Sequence, residues 1–293
     1  MAQLYTRQRE RSMLVGLRSR KHIPSFDLVR PASVEEACRA LAAPGRSVAM
    51  AGGLDLIDRL KGGESVERII HLAGVREFSG IRRDGDTISI GALTTHAQLA
   101  HSAMLADVLP DVPAIWRTIA NPRVRFVGTL GGNLMSAAPH YDAWPALLAL
   151  GADALVFDRS GVLAAVELPA LRDRDDILLG QVRIGAASFQ RRLLADRSLY
   201  PIVSVYFGAS IDDGTVRSAR IVAGCAHAHA VMAELQVAGA PVASLGSDAG
   251  ELAHAVAGAL PEPISDGLAS GSYRRRMIEI LARRLLIKLG SRS

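Results

Sequence analysis

The chain has 293 residues, 49% hydrophobic and 22% charged, with a formal net charge of +5; that can bury a sizeable core in more than one domain or subdomain. No apolar run reaches the ~18 residues of a membrane span, the opening residues carry no secretory pattern, and the scattered arginines lack a nucleic-acid reader motif. Two cysteines, Cys38 and Cys225, cannot hold an iron–sulfur cluster or a full structural zinc site, so redox chemistry must come from an organic cofactor or from another chain, and a reducing, cytoplasmic setting is expected.

The chain opens with a basic arm, residues 1–21, in which Arg7, Arg9, Arg11, Arg18, Arg20 and Lys21 mix with Leu14, Val15 and Leu17. It reads as a segment that orders against a partner or an anionic surface, with a targeting peptide as the alternative. Folding is expected from Ile23. A short strand at 26–29 leads to Ser33-Val34-Glu35-Glu36, a capping-box pattern that opens a helix through Leu41. Pro44-Gly45 ends the helix, and 47–50 reads as a buried strand. It runs into Ala51-Gly52-Gly53-Leu54-Asp55. Leu56, Ile57 and Leu60 then share one face of a short helix closed by Gly62-Gly63, and 66–72 is a further strand.

Asp84-Gly85 marks a hairpin turn before a strand at 87–90. Gly91-Ala92-Leu93-Thr94-Thr95-His96 passes into a helix capped by Thr94 or Thr95. Residues 110–120 read as helix, Gly128-Thr129-Leu130-Gly131-Gly132-Asn133 as a second glycine-rich loop, and 142–150 as a helix with Pro145 in its first turn. Strands follow at 154–157 and 162–166. The polar run 171–176 suggests the main boundary, giving an arm (1–21), a first domain (22–176, subdomains 22–78 and 79–176) and a second domain (177–293). In the last third, strands at 202–211 and 216–223 flank the turn Asp212-Asp213-Gly214, and helices are expected at 248–257 and 272–289. Without a regular βαβ alternation along the chain, the fold class is α+β.

Glycine admits positive φ and close approach of a ligand to the main chain, and successive free N–H groups make a concavity for a phosphate. Each glycine pair could equally make only a tight turn. Neither segment fits G-x-G-x-x-G or the Gly-Lys-Ser/Thr phosphate loop. The residues alone therefore allow a phosphate ligand without naming it.

In order, the chain shows Phe26-Asp27 with Pro31-Ala32-Ser33-Val34-Glu35-Glu36-Ala37, then Ala51-Gly52-Gly53-Leu54-Asp55-Leu56. Ile90-Gly91-Ala92-Leu93-Thr94-Thr95-His96, the segment from Gly128 to Asn133, and Pro139 with Asp142 and Ala146-Leu147-Leu148-Ala149-Leu150 complete the set. This ensemble resembles the FAD-binding medium subunit of the xanthine dehydrogenase and carbon monoxide dehydrogenase (molybdenum hydroxylase) family. A weaker likeness continues in Ser204-Val205, Ala219-Arg220-Ile221 and Ser272-Tyr273-Arg274-Arg275. The resemblance implies a two-subdomain FAD-binding domain of the vanillyl-alcohol-oxidase/PCMH type followed by a smaller α+β C-terminal domain. It implies FAD on this chain, held by Ala51, Gly52, Gly53, Leu54 and Asp55 in one loop and Gly128, Thr129, Gly132 and Asn133 in the other. Ile119 takes the place lying against the isoalloxazine ring, and Asp142 the place near the ribityl or ribose hydroxyls.

The resemblance further implies partners, a molybdenum-cofactor large subunit and a [2Fe-2S] small subunit, with this chain passing electrons from the clusters to an external acceptor. The alternatives are a self-sufficient FAD-dependent oxidase and a structural subunit with a degenerate flavin site. The sequence departs from the family at Leu54, where a polar residue is common, at Phe126-Val127 in place of a polar Asn-x, and in a shortened segment 161–176.

Other chemistry-bearing residues have plainer readings. His96 reads as a helix-start residue, and His140 and Tyr141 as either cofactor contacts or surface loop. His227 and His229 would share a strand face without a third ligand. Arg191-Arg192 and Arg274-Arg275-Arg276 read as solvated or partner-facing charge, and no serine has a nucleophile-elbow context.

Overall fold

The computed structural model describes residues 23–136, 138–185, 190–198 and 202–291. The basic arm, for which docking or targeting is expected, lies outside these residues. Among them, no helix is long and apolar enough to cross a membrane.

The first unit is a three-stranded parallel sheet, β1 (Asp27–Val29), β2 (Ser47–Met50) and β3 (Arg68–His71), in the order β1-β3-β2. Helix α1 (Val34–Ala42) and helix α2 (Leu54–Lys61) connect consecutive strands. Ser33 caps α1 by accepting the Glu36 N–H at 3.3 Å, while the Glu36 carboxylate accepts the Ala32 N–H at 2.8 Å, one residue before the position a capping box uses. Cys38 and Leu41 of α1 meet Ile70 of β3 in one small core; Leu56 and Leu60 of α2 meet Ile69 in another. Central β3 is thus covered on both faces. β2, expected to be buried, is an edge strand with Ala49 exposed.

The second unit is a five-stranded antiparallel sheet with a helical layer. Its strands are β4 (Ile81–Asp84), β5 (Thr87–Gly91), β6 (Asp153–Asp158), β7 (Leu163–Glu167) and β8 (Ile177–Gly185), ordered β4-β5-β8-β6-β7. Between β5 and β6 run α3 (His96–Ala100), α4 (Ala103–Val108), α5 (Asp111–Trp116), α6 (Pro122–Val127), α7 (Leu130–Ser136) and α8 (Ala143–Ala149). The helix expected at 110–120 stops at Trp116. Ala120 takes φ +48°, and Asn121 starts α6 by accepting the Val124 N–H at 3.0 Å. The expected boundary at 176 falls just before β8, which returns to the middle of this sheet, so the chain leaves the sheet only after Gly185.

The third unit is the antiparallel sheet β12-β11-β10-β9, made of β9 (Gln190–Arg197), β10 (Ser204–Asp212), β11 (Thr215–Gly224) and β12 (Val231–Glu234). Val205, Phe207 and Ala209 of β10 pack with α9 (Ser244–Ser247), α10 (Ala249–Ala259) and α11 (Gly271–Gly290). Tyr206 joins the main core of the second unit instead. Gly208 lies on this second face, where a β-carbon would stand 1.8 Å from the Ala149 carbonyl oxygen at the end of α8. Every residue of α8 is buried, and the helix packs on the sheet of the third unit and against α7. The arginine runs, expected to be solvated or partner-facing, are largely structural: fully buried Arg274 donates to Ile202 O, Cys225 O and the Asp266 carboxylate, while Arg191 donates to Leu150 O and Arg192 to Asp111; Arg276 stays solvated beside Glu279.

Candidate functional site

The two glycine segments meet. Gly53 takes φ +77° between β2 and α2, a conformation that disfavours any side chain. Gly52 packs its α-carbon against α6, and a β-carbon there would sit 2.0 Å from Val127 O. A β-carbon on Gly132 would lie 4.0 Å from the Ala51 β-carbon and 3.0 Å from Thr129 Oγ1. Ala51 and Gly132 therefore face each other across a narrow seam.

The hydrogen-bonding capacity of the two segments differs sharply. Among the described residues, the N–H groups of Gly52, Gly53, Leu54 and Asp55 donate to no protein acceptor. They form the uncapped N-terminus of α2, where partial positive charge accumulates. The Asp55 carboxylate turns along the helix toward Arg59 at 3.4 Å. The second segment, expected to be a loop, is the start of α7, and most of its donors are engaged. Leu130 donates to Thr94 O at 2.9 Å, Gly131 to Ala92 O at 2.7 Å, Gly132 to Thr129 Oγ1 at 3.1 Å and Asn133 to Thr129 O at 3.0 Å. Two groups are left open here among the described residues: the Thr129 N–H donates to no protein acceptor, and the buried Asn133 Oδ1 has no hydrogen-bond partner.

These contacts give the Gly91-to-His96 motif its purpose. Thr95 caps α3 in a reciprocal box with Gln98, and the His96 N–H donates to Gly128 O at 3.0 Å, so the motif clamps the second glycine segment. The His96 ring is buried next to Gly128. Burial, helped by Arg125, pushes its pKa down to about 4 and keeps it neutral at pH 7.

Other expected site residues are placed differently. Ile119 is 4% exposed and packs in the main core, so it offers no open face; its neighbours Thr118 and Ala120 are exposed. Arg125 secures that turn by donating to Ile119 O at 2.8 Å and Ala120 O at 2.9 Å. Asp142 is buried. Its Oδ1 accepts the Tyr206 hydroxyl at 2.7 Å and its Oδ2 lies 3.6 Å from Arg197, so both oxygens face the third unit. Burial raises its carboxyl pKa, and Tyr206 and Arg197 oppose that rise. Tyr141 stands half-buried, edge-on to His140 with ring centroids 4.8 Å apart. His227 and His229 lie in the loop after β11 rather than on a strand, and buried His227 bonds to Pro261 O. Neither Tyr206 nor Arg125 carried a signal in the sequence, because each acts on residues that folding brings to it.

Residues 24–173 match the family described as FAD binding domain in molybdopterin dehydrogenase. The chain is 27% identical to the carbon monoxide dehydrogenase medium chain of Afipia carboxidovorans, over 92% of this chain and 98% of that one. It is also 27% identical to the nicotine 6-hydroxylase medium subunit of Paenarthrobacter nicotinovorans, over 92% and 99% of the two chains. Among solved structures, reconstituted CO dehydrogenase from Oligotropha carboxidovorans superposes with a TM-score of 0.80 at 26% identity, covering 93% of this chain and all of that one.

Proposed function

Because this chain belongs to the family of FAD-binding domains in molybdopterin dehydrogenases, and is thus an FAD-binding oxidoreductase subunit, we propose that it is the electron-transfer subunit of a molybdenum hydroxylase complex. It takes electrons from the [2Fe-2S] clusters of a small partner subunit, which are filled by substrate oxidation at a molybdenum cofactor on a large subunit, and delivers them to an external acceptor. The medium-chain relatives, aligned over nearly their whole length, support this division of labour.

The observation that carries the reading is the row of free N–H groups at Gly52, Gly53, Leu54 and Asp55 facing α7. These groups would hold the pyrophosphate of FAD, because a helix N-terminus with unspent donors favours an anion. The orphaned Asn133 Oδ1 would accept a hydroxyl of the cofactor, and Gly132 keeps the approach open. Gly128 and Thr129 hold the second segment in place. Tyr141 follows α7 in the chain and would offer its hydroxyl to the cofactor, and Asp142 anchors that stretch to the third unit through Tyr206. When bound, FAD supplies the exchange between paired and single electrons, and the protein supplies its position and surroundings.

The test is anaerobic. The purified chain should carry FAD, show its visible absorbance, and leave that absorbance unchanged when mixed with organic substrates of the assembled complex. Bleaching by substrate with no partner present refutes the relay reading in favour of a self-sufficient oxidase. A chain with no flavin and no uptake of added FAD refutes cofactor binding altogether.

A further inference from the structure

A narrow cleft, open to solvent, lies where the sheet of the third unit meets the end of α8. Two rows of cross-strand partners form its wall. Arg191, Ser210 and Ser218 face one another across β9, β10 and β11, and two residues along, Gly208 pairs with Arg220. Alternation along a strand puts both rows on one face. Gly208 admits the Ala149 carbonyl there, and the two serines keep the adjoining space open.

Two guanidinium groups converge on this cleft. Nη1 of Arg220 and Nη1 of Arg191 lie 3.1 Å and 3.9 Å from one point, the β-position of Gly151 just beyond α8. Arg191 donates to Leu150 O at 2.7 Å; Arg220 donates to Leu148 O at 3.4 Å and reaches the Glu234 carboxylate at 3.0 Å. A guanidinium carries five N–H groups, so most of both forks is unspent, and the buried Arg191 Nε has no protein partner among the described residues. Arg192 has Asp111 and Arg220 has Glu234, whereas Arg191 forms no ion pair among the described residues. Burial, and then the charge of Arg220, lower the Arg191 pKa, as befits a cation short of a counter-ion.

We propose that this cleft is an anion site for inorganic phosphate, held by Arg191 and Arg220 with Ser210 and Ser218. Two planar forks and two hydroxyls approach from more than one side, which suits the several oxygens of a tetrahedral anion better than the two of a carboxylate. The bound anion ties β9 and β11 to the end of α8, across the second and third units. The site lies at the opposite end of α8 from Asp142 and shares no residue with the glycine segments.

The experiment titrates the full chain with sodium phosphate in a phosphate-free buffer, following heat and melting temperature. Phosphate should give saturable heat and raise the melting temperature, while sodium chloride of equal ionic strength and sodium acetate should not. Excess FAD should leave the response intact. Ser218 is exposed, so Ser218→Asp should fold as wild type by circular dichroism. Its carboxylate would repel the incoming anion and should weaken phosphate at least ~10-fold. Arg191→Lys, which keeps the charge and removes the fork, should weaken it as well. An absence of saturable heat, or an equal response to chloride or acetate, overturns the assignment. Loss of the response on adding FAD places the anion at the glycine segments instead, and wild-type phosphate affinity in Ser218→Asp excludes this cleft.

Discussion

Substituting Gly52 by alanine tests whether the contact between the two glycine segments sets cofactor affinity. The new methyl carbon would begin 2.0 Å from Val127 O, a backbone atom fixed at the end of α6. Reaching van der Waals distance takes about 1.3 Å of separation, which no side-chain rotation can provide. Forcing extra volume into such a junction costs ~1–3 kcal/mol. Flavin-free protein can relieve the strain by opening the seam, whereas holding a ligand across it requires closure. At ~1.4 kcal/mol per tenfold, FAD should bind roughly 5- to 150-fold more weakly. Fluorescence titration of the flavin-free variant measures this, with circular dichroism confirming the fold. Gly250→Ala is the control, since a β-carbon there meets nothing within 4 Å and alanine suits a helix interior. Wild-type FAD affinity in Gly52→Ala, or lost thermal stability without lost affinity, would refute the coupling of this seam to the cofactor site.

His96→Phe should change how stability responds to acid. Because burial depresses the imidazole from 6.5 to about 4, its contribution is complete above pH 6.5 and is lost as pH falls through that window. The span corresponds to roughly 3 kcal/mol, so urea melts at pH 7 and pH 4.5 should show a smaller loss in the variant; equal losses would refute the argument. For Asp142 the sign is opposite. Its raised carboxyl pKa means that ionisation costs stability as pH rises above the unfolded value of ~3.9, so Asp142→Asn should gain on wild type between pH 4 and pH 7. Tyr206→Phe removes the 2.7 Å bond to that carboxylate and should cost ~1.5–3 kcal/mol at pH 7, measured by denaturant unfolding. Gly208→Ala would push β10 away from the Ala149 carbonyl, 1.8 Å from the new carbon, and should lower stability by ~2 kcal/mol or more, read as a drop in the urea midpoint.

Short-range chemistry was legible from the residues themselves. Ser33 and Thr95 cap helices at their expected places, Leu56 and Leu60 mark the inner face of α2, and Asp213 and Gly214 turn β10 into β11 with positive φ. Each depends on neighbours within about one helical turn, or on the two-residue turn of a hairpin. The order of glycine and Thr-Thr-His motifs supplied the family, and with it FAD. Strands β8 and β9 escaped notice. β8 is central and buried along most of its length, so apolar and polar residues do not alternate, and β9 opens with Gln190, Arg191 and Arg192, two of which are consumed by helix ends elsewhere.

What the sequence determined by itself is the family, through two glycine-rich segments and the motifs between them in a fixed order. How closely each glycine is hemmed in was decided by folding: a β-carbon on Gly52 would meet the backbone Val127 O at 2.0 Å, one on Gly132 the side-chain Thr129 Oγ1 at 3.0 Å. Folding also spent the Leu130, Gly131, Gly132 and Asn133 donors of the second segment on Thr94, Ala92 and Thr129, left those of the first unpaired, and turned Asp142 toward Tyr206, 64 residues away. The physical reason is common to all three. A backbone N–H or a carboxylate has the same chemistry wherever it stands, and only the atoms that packing brings beside it determine whether it is already satisfied or still free to bind.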